Sequence, residues 1–126
     1  MSNREIERVV VLPAGSPTVV ALCGSTRFGT AFAKAQNDET IAGRIVLTIG
    51  SNTMSDDWLF ASMNSADRRL LKAKLDVLHL FKIQLADEIL VLDVGGYIGE
   101  STEREIEWGK SLNKSIRYWS QERGNA

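Results

Sequence analysis

The chain carries a single cysteine, two prolines and a single histidine in 126 residues. One cysteine excludes an intrachain disulfide and any metal site built on several thiolates, so the fold must rest on an apolar core, and the chain suits a reducing compartment. Neither sign of charge is in excess: 15 Lys and Arg stand against 16 Asp and Glu, a formal net charge of −1. Neutralising a run of phosphates takes a basic face, so a nucleic-acid polymer is not the expected partner. Long apolar runs are also missing. None approaches the ~20 residues that cross a bilayer, and the N-terminus has no signal-peptide pattern, so the expectation is a cytoplasmic protein without membrane contact.

What is present suffices for one core. With 44% hydrophobic residues, a chain of this length buries roughly two-thirds of the surface its unfolded form exposes. The expectation is therefore one domain over residues 1–126, with its core at about 18–119. Arg8-Val9-Val10-Val11-Leu12 reads as a short edge strand, and Pro13 to Pro17 as a turn into a strand at residues 18–22. Residues 30–42 have helical character, with Phe32, Ala35 and Ile41 placed to face a sheet, and Gly43 suits the helix end. A strand is expected at 44–49. Residues 51–64, with Asp56, Asp57, Trp58, Leu59 and Phe60, have no clean period and read as a loop with a short helix, a candidate lid. Ser65 is placed to cap a long helix at 66–86. A strand at 88–93, a helix at 102–112, a strand at 115–119 and a frayed tail at 121–126 complete the order. Strands alternating with helices predict an α/β fold with a doubly wound, mostly parallel sheet of four to five strands.

The long helix has Leu70, Leu71, Leu75, Val77, Leu78, Leu80, Phe81, Ile83 and Leu85 around most of its circumference, which predicts cover on several sides, by the sheet and by a second subunit. Lys72, Asp76 and His79 share the remaining sector. A solvent-facing i,i+3 pair is the simpler reading of Asp76 and His79. The other is that His79 faces a site as an acid, base or orienting group.

Two glycine-rich turns each follow an apolar strand: Cys23-Gly24-Ser25-Thr26-Arg27-Phe28-Gly29 after Val19 to Leu22, and Gly95-Gly96-Tyr97-Ile98-Gly99-Glu100-Ser101-Thr102-Glu103-Arg104-Glu105 after Ile89 to Leu92. Turns at the carboxyl edge of a parallel sheet are where α/β folds bind ligands. Backbone N–H groups near a helix start, the hydroxyls of Ser25 and Thr26 and the Arg27 guanidinium suit a phosphate, although an ordinary strand-to-helix turn explains the glycines equally. The motif is neither a P-loop nor a dinucleotide fingerprint. Glu105 falls three residues after Thr102, so a capping box accounts for its spacing. Glu105 also has the chemistry of a nucleophile, and Tyr97 stands beside a backbone that glycines leave open to a ligand. Cys23 reads as a small apolar strand end, and Phe28, Trp58 and Phe60 as core residues with the shape to stack on a base.

The order Leu22-Cys23-Gly24-Ser25-Thr26-Arg27, Val46-Leu47-Thr48, Leu85-Ala86-Asp87-Glu88-Ile89-Leu90-Val91 and Ser101-Thr102-Glu103-Arg104-Glu105 resembles the nucleoside 2-deoxyribosyltransferase-like superfamily. Within it the 2'-deoxynucleoside 5'-monophosphate N-glycosidases are nearest. The resemblance implies a Rossmann-like or flavodoxin-like fold, a homodimer, and cleavage of the base–sugar bond through a glycosyl ester on a Glu that matches Glu105. It departs from the family at two positions: Ala21 stands where the glycosidases carry Tyr, and His79 where they carry Asp. Tyr97 and His79 are the candidates to fill those roles, with Asp76 orienting His79.

The expected activity is thus N-glycosidic cleavage of a (deoxy)nucleoside 5'-monophosphate, with no cofactor and no metal. Glu105, Tyr97 and His79 are the catalytic candidates; Gly24, Ser25, Thr26, Arg27, Gly99, Ser101 and Asp57 are the substrate-binding candidates. A deoxyribosyltransferase acting on a nucleoside, a non-catalytic nucleotide sensor on the same fold, and a purely architectural domain are the alternatives.

Overall fold

A computed structural model describes residues 15–49 and 62–123. The expected strand at 8–12, most of the loop at 51–64 and the last three residues lie outside that range. Strand β1 is Val19–Cys23, helix α1 is Gly29–Ile41, β2 is Ile45–Leu47, α2 is Ser65–Leu85, β3 is Glu88–Val91, α3 is Glu100–Ser111, β4 is Ser115–Tyr118, and a short α4 is Trp119–Glu122. Single 3-10 turns at Thr26–Phe28 and Val94–Gly96 open the two glycine-rich segments. All four strands are parallel, in the order β2-β1-β3-β4. The chain leaves β1 toward one edge and β3 toward the other, which is the switch point of a Rossmann-like, flavodoxin-like sheet and opens a crevice at the carboxyl ends of those two strands.

Alternation along β1 sorts the core into two layers. Val20 and Leu22 point to one face and pack with Leu90, Leu92, Phe32 and Ala35 of α1, and Trp119. Ala21 and Cys23 point to the other, with Ile89, Val91, Ile83 of α2 and Ile106 of α3. Helices therefore cover both faces, as the alternating pattern predicts. Phe32 and Ala35 are buried as expected, but Ile41 is 77% exposed, because it closes α1 just before Gly43 turns the chain at φ +89°.

Helix starts differ from expectation. Asn64, not Ser65, caps α2, its side-chain oxygen accepting from the Asp67 N–H at 2.8 Å. Helix α3 starts at Glu100 with Gly99 as its cap and no side-chain cap bond. Thr102 lies inside the helix and is buried, so no capping box forms and Glu105 sits in the second turn.

Asp93 anchors the end of β3. It is buried and accepts from the Ser120 N–H at 2.8 Å and the Ser120 hydroxyl at 2.7 Å. The following Gly95 and Gly96 have φ of +63° and +82°, a left-handed path that side chains disfavour. On β4, Arg117 donates to Glu88 of β3 at 2.9 Å, to Glu122 of α4 at 3.1 Å and to the buried Glu39 of α1, tying two helices to the sheet.

Helix α3 approaches β3 closely. A Cβ on Gly109 would stand 2.3 Å from Ile89 Cδ1, inside a core that has no exposed surface at Ile89. Gly109→Ala should thus lose much of its helix-propensity gain to overpacking. Ile89→Val removes the obstructing methyl. The double variant should be more stable than the two single effects summed, by about 0.5–3 kcal/mol in urea unfolding; strict additivity would contradict this packing.

Candidate active site

Because Cys23 ends β1 on the α2/α3 side of the sheet, its thiol points at the place where those helices meet. His79 of α2 and Glu105 of α3 project into the same place. Cys23 Sγ lies 3.5 Å from His79 Nε2, and that nitrogen is 3.9 Å from Glu105 Oε1. The cluster is sequestered, with the side chains of His79 and Glu105 only 5% and 14% exposed and Cys23 fully buried.

The solvent-stripe reading of His79 is therefore overturned. The sector of Lys72, Asp76 and His79 turns toward the site, while Leu70, Val77, Leu78, Phe81 and Leu85 are each more than half exposed. Helix α2 buries only His79 and Ile83 fully, so among the described residues its apolar majority is not covered on several sides.

Burial governs the charges. It raises the Glu105 carboxyl from 4.5 to about 7, helped by Asp76 and opposed by the Cys23 thiol, Arg104 and Lys72. Burial and then Lys82 lower His79 from 6.5 to about 4, against the pull of the Leu22 backbone and Asp76. The Cys23 thiol is pushed well above its ordinary value by burial and by Glu105. At neutral pH the imidazole is uncharged, so the His79–Glu105 approach is not an ion pair. The helix start does not keep Glu105 ionised, since it stands one turn deeper than the sequence spacing implies and loses more hydration than the helix dipole returns.

A cavity of about 260 Å³ opens above this cluster, lined by Gly24, Ser25, Thr26, Tyr97, Gly99 and Ser101 together with His79 and Glu105. Eight of the expected site residues thus meet in one place. Arg27 does not line it. Its guanidinium lies 4.5 Å from the Tyr97 ring centre, and its Nε donates to Ser25 Oγ at 3.2 Å; the Tyr97 face satisfies the cation outside the cavity. Phe28 meets Tyr97 edge-on at 5.9 Å, so Phe28, Arg27 and Tyr97 form one wall. Asp57, Trp58 and Phe60 lie outside the described residues.

Lys72, Leu75 and Lys82 also line the cavity. Sequence reading took Leu75 only as an apolar helix residue and did not name Lys82; the signal was their spacing from His79, which puts them on its helix face. Lys82 donates to the Thr48 carbonyl at 2.7 Å and so links α2 to the end of β2. The first turn of α3 contributes Glu100, Ser101 and Thr102; uncapped N–H groups there favour an anion. Ser101 Oγ accepts from Arg104 at 3.2 Å and keeps its own proton to donate.

No protein-family model matches the chain, and no curated protein matches it.

The raised carboxyl has a measurable consequence. A folded-state value of about 7 above an ordinary 4.5 means the protonated group's stability advantage is complete below about 4.5 and is lost as pH rises through 7. Glu105→Gln lacks that titration. Its melting temperature relative to wild type should rise between pH 5 and pH 8 in EDTA-containing buffer, a gain on the order of 3 kcal/mol at most. A difference that does not change with pH would show that Glu105 is hydrated in the folded state.

Proposed function

We propose that the protein is a nucleotide N-glycosidase, cleaving the base–sugar bond of a (deoxy)nucleoside 5'-monophosphate through a glycosyl ester on Glu105. The observation that carries this reading is a buried carboxyl on the floor of a cavity whose rim is an uncapped helix start. The sequence resemblance to the deoxyribosyltransferase-like superfamily supports the same assignment.

In this reading the phosphate sits against the N–H groups that open α3, the hydroxyls of Ser101 and Ser25, and the backbone at Gly24. That places the sugar over Glu105. The carboxylate forms a bond to the anomeric carbon as the bond to the base breaks and its electron pair leaves with the base nitrogen. A desolvated carboxylate gains most when positive charge develops on the sugar, so burial that raises its resting energy is recovered in the transition state. His79, uncharged at neutral pH, packs beside Glu105 with Nε2 3.9 Å from Oε1 and restricts the carboxylate by contact; a ring with a value near 4 holds too few protons at pH 7 to be the main acid. Tyr97 closes the sugar side of the cavity, and water then hydrolyses the ester. The natural assembly in this reading is a homodimer formed through the exposed α2 stripe, whose Phe81 is 58% exposed.

Incubation with a panel of deoxy- and ribonucleoside monophosphates, read by chromatography of free base, tests the activity. Glu105→Gln should fold normally and lose base release by at least ~100-fold. Unchanged turnover would remove Glu105 from the chemistry. Ser101→Ala should cost about 1.5–3 kcal/mol in kcat/KM for a nucleotide and much less for the matching nucleoside. Equal losses would place the phosphate elsewhere. Phe81→Glu should convert the dimer to a monomer in light scattering; wild-type protein that is already monomeric contradicts the assembly.

A further inference from the structure

The three side chains clustered beneath the cavity are chemically unlike one another, and they come from three separate elements. A thiol, an imidazole nitrogen and a carboxylate oxygen, from β1, α2 and α3, lie within 4.8 Å of one another. The Cys23 thiol donates to Glu105, but the contacts of His79 are poor as hydrogen bonds: 3.9 Å separates its Nε2 from Glu105 Oε1, beyond hydrogen-bond reach, and the 3.5 Å Cys23–His79 approach involves a weak sulfur partner. Burying an imidazole and a carboxyl side by side with no hydrogen bond between them is costly. A cation placed among them would satisfy all three.

The spacing fits that role. Around a tetrahedral zinc ion, ligand bonds of about 2.0–2.3 Å put neighbouring donor atoms about 3.3–3.6 Å apart. The Cys23–His79 edge already has this length. The His79–Glu105 edge needs to close by about half an ångström, within the reach of a rotation of the Glu side chain. Thiolate, neutral imidazole and carboxylate together balance the charge of a divalent ion, and this mixture of soft and borderline donors selects zinc over magnesium or calcium. Three protein ligands leave a fourth position, and two of the three, His79 and Glu105, line the cavity.

We propose that Cys23, His79 and Glu105 form a three-ligand site for a zinc-class divalent transition-metal ion. Metal binding stands independently of the glycosidase reading. Its consequence for activity rests on that reading: a Glu105 oxygen that coordinates metal is unavailable to attack a sugar, so the loaded protein is the inhibited form.

Cobalt(II) is the probe, because a thiolate ligand announces itself spectroscopically. Titration of EDTA-treated full-length protein with Co²⁺ should give, at one equivalent, a thiolate-to-cobalt charge-transfer band in the near ultraviolet and the intense visible bands of a four-coordinate ion. Zn²⁺ should bleach both. Cys23→Ser should abolish the charge-transfer band, and His79→Ala and Glu105→Gln should each weaken Co²⁺ binding by at least ~10-fold. Absence of the band in wild type, or its persistence in Cys23→Ser, overturns the site. Cys23→Ala, which retains an apolar strand end, provides the second variant if Cys23→Ser does not fold. Base release is measured separately on metal-free protein, so its absence would defeat the glycosidase reading while the cobalt spectrum still judged the metal site. With turnover present, full activity at saturating Zn²⁺ would overturn the inhibitory role.

Discussion

Everything near the cavity depends on the burial of β1 on both faces and both edges. Val20, Ala21, Leu22 and Cys23 have no exposed surface, and β1 is paired on one side with β2 and on the other with β3. A strand held that way has no freedom to slip, since a one-residue shift would exchange its two faces. The parity that places Val20 and Leu22 against α1 also places the Cys23 thiol against α2 and α3. Gly24 then continues under β3's extension, where a Cβ would meet Leu92 Cβ at 3.1 Å and the Leu92 carbonyl at 3.2 Å. Position 24 is small because the two strand ends converge.

The polar floor is a cost that the rest of the sheet must offset. Three titratable groups lose hydration there with one thiol–carboxylate hydrogen bond between them, and His79 Nδ1 has no well-formed hydrogen bond among the described residues. Compensation comes from the two apolar layers and from polar groups elsewhere that are well paired. Glu39, as buried as the floor residues, has Arg117 and also Arg44 at 3.3 Å. Asp93 has both its oxygens bonded to Ser120. The contrast is informative because a fold that satisfies Glu39 and Asp93 fully is not short of means to pair a buried carboxyl. Local cost at one place, with good pairing around it, is the pattern expected of a binding or catalytic site.

Sequence patterning was most reliable where one physical demand acted alone. Apolar strands flanked by glycine turns predicted β1, β3 and the positions of both cavity loops, because burial and backbone freedom there have no competitor. It failed where two demands met. Thr102 and Glu105 have capping-box spacing, yet leaving Gly99 as an unadorned cap frees the first N–H groups of α3 for the cavity and carries Glu105 inward. On α2, the inward face is mixed: Ile83 and Leu80 pack on the sheet, while Asp76 and His79 turn in beside them toward the cavity and several other apolar residues are left outside. A helix that borders a polar site presents its polar residues inward, and no hydrophobic count on the isolated helix can reveal that. Arg27 illustrates a third limit. Its charge suits a phosphate, but the aromatic face of Tyr97, seventy residues away, is a partner visible only after the strands pair.

The cavity therefore has two chemically distinct parts that come from different constraints. Its rim has backbone and hydroxyl groups from Gly24, Ser25, Gly99 and Ser101 at the switch point of the sheet, which favour anions, with Lys72 and the Glu100 carboxylate also in the lining. Its floor is His79 and Glu105, with the buried Cys23 thiol behind them, and this desolvated cluster favours a positive charge, whether fixed or developing. A ligand matched to both parts needs an anionic end separated from a centre that becomes cationic during reaction, and a nucleoside monophosphate has that form, with the phosphate at one side of the sugar and the glycosidic carbon at the other. A metal ion is matched to the floor alone. The two proposed occupants thus compete for Glu105 but not for the rim, which makes the carboxyl the point at which binding one excludes chemistry on the other.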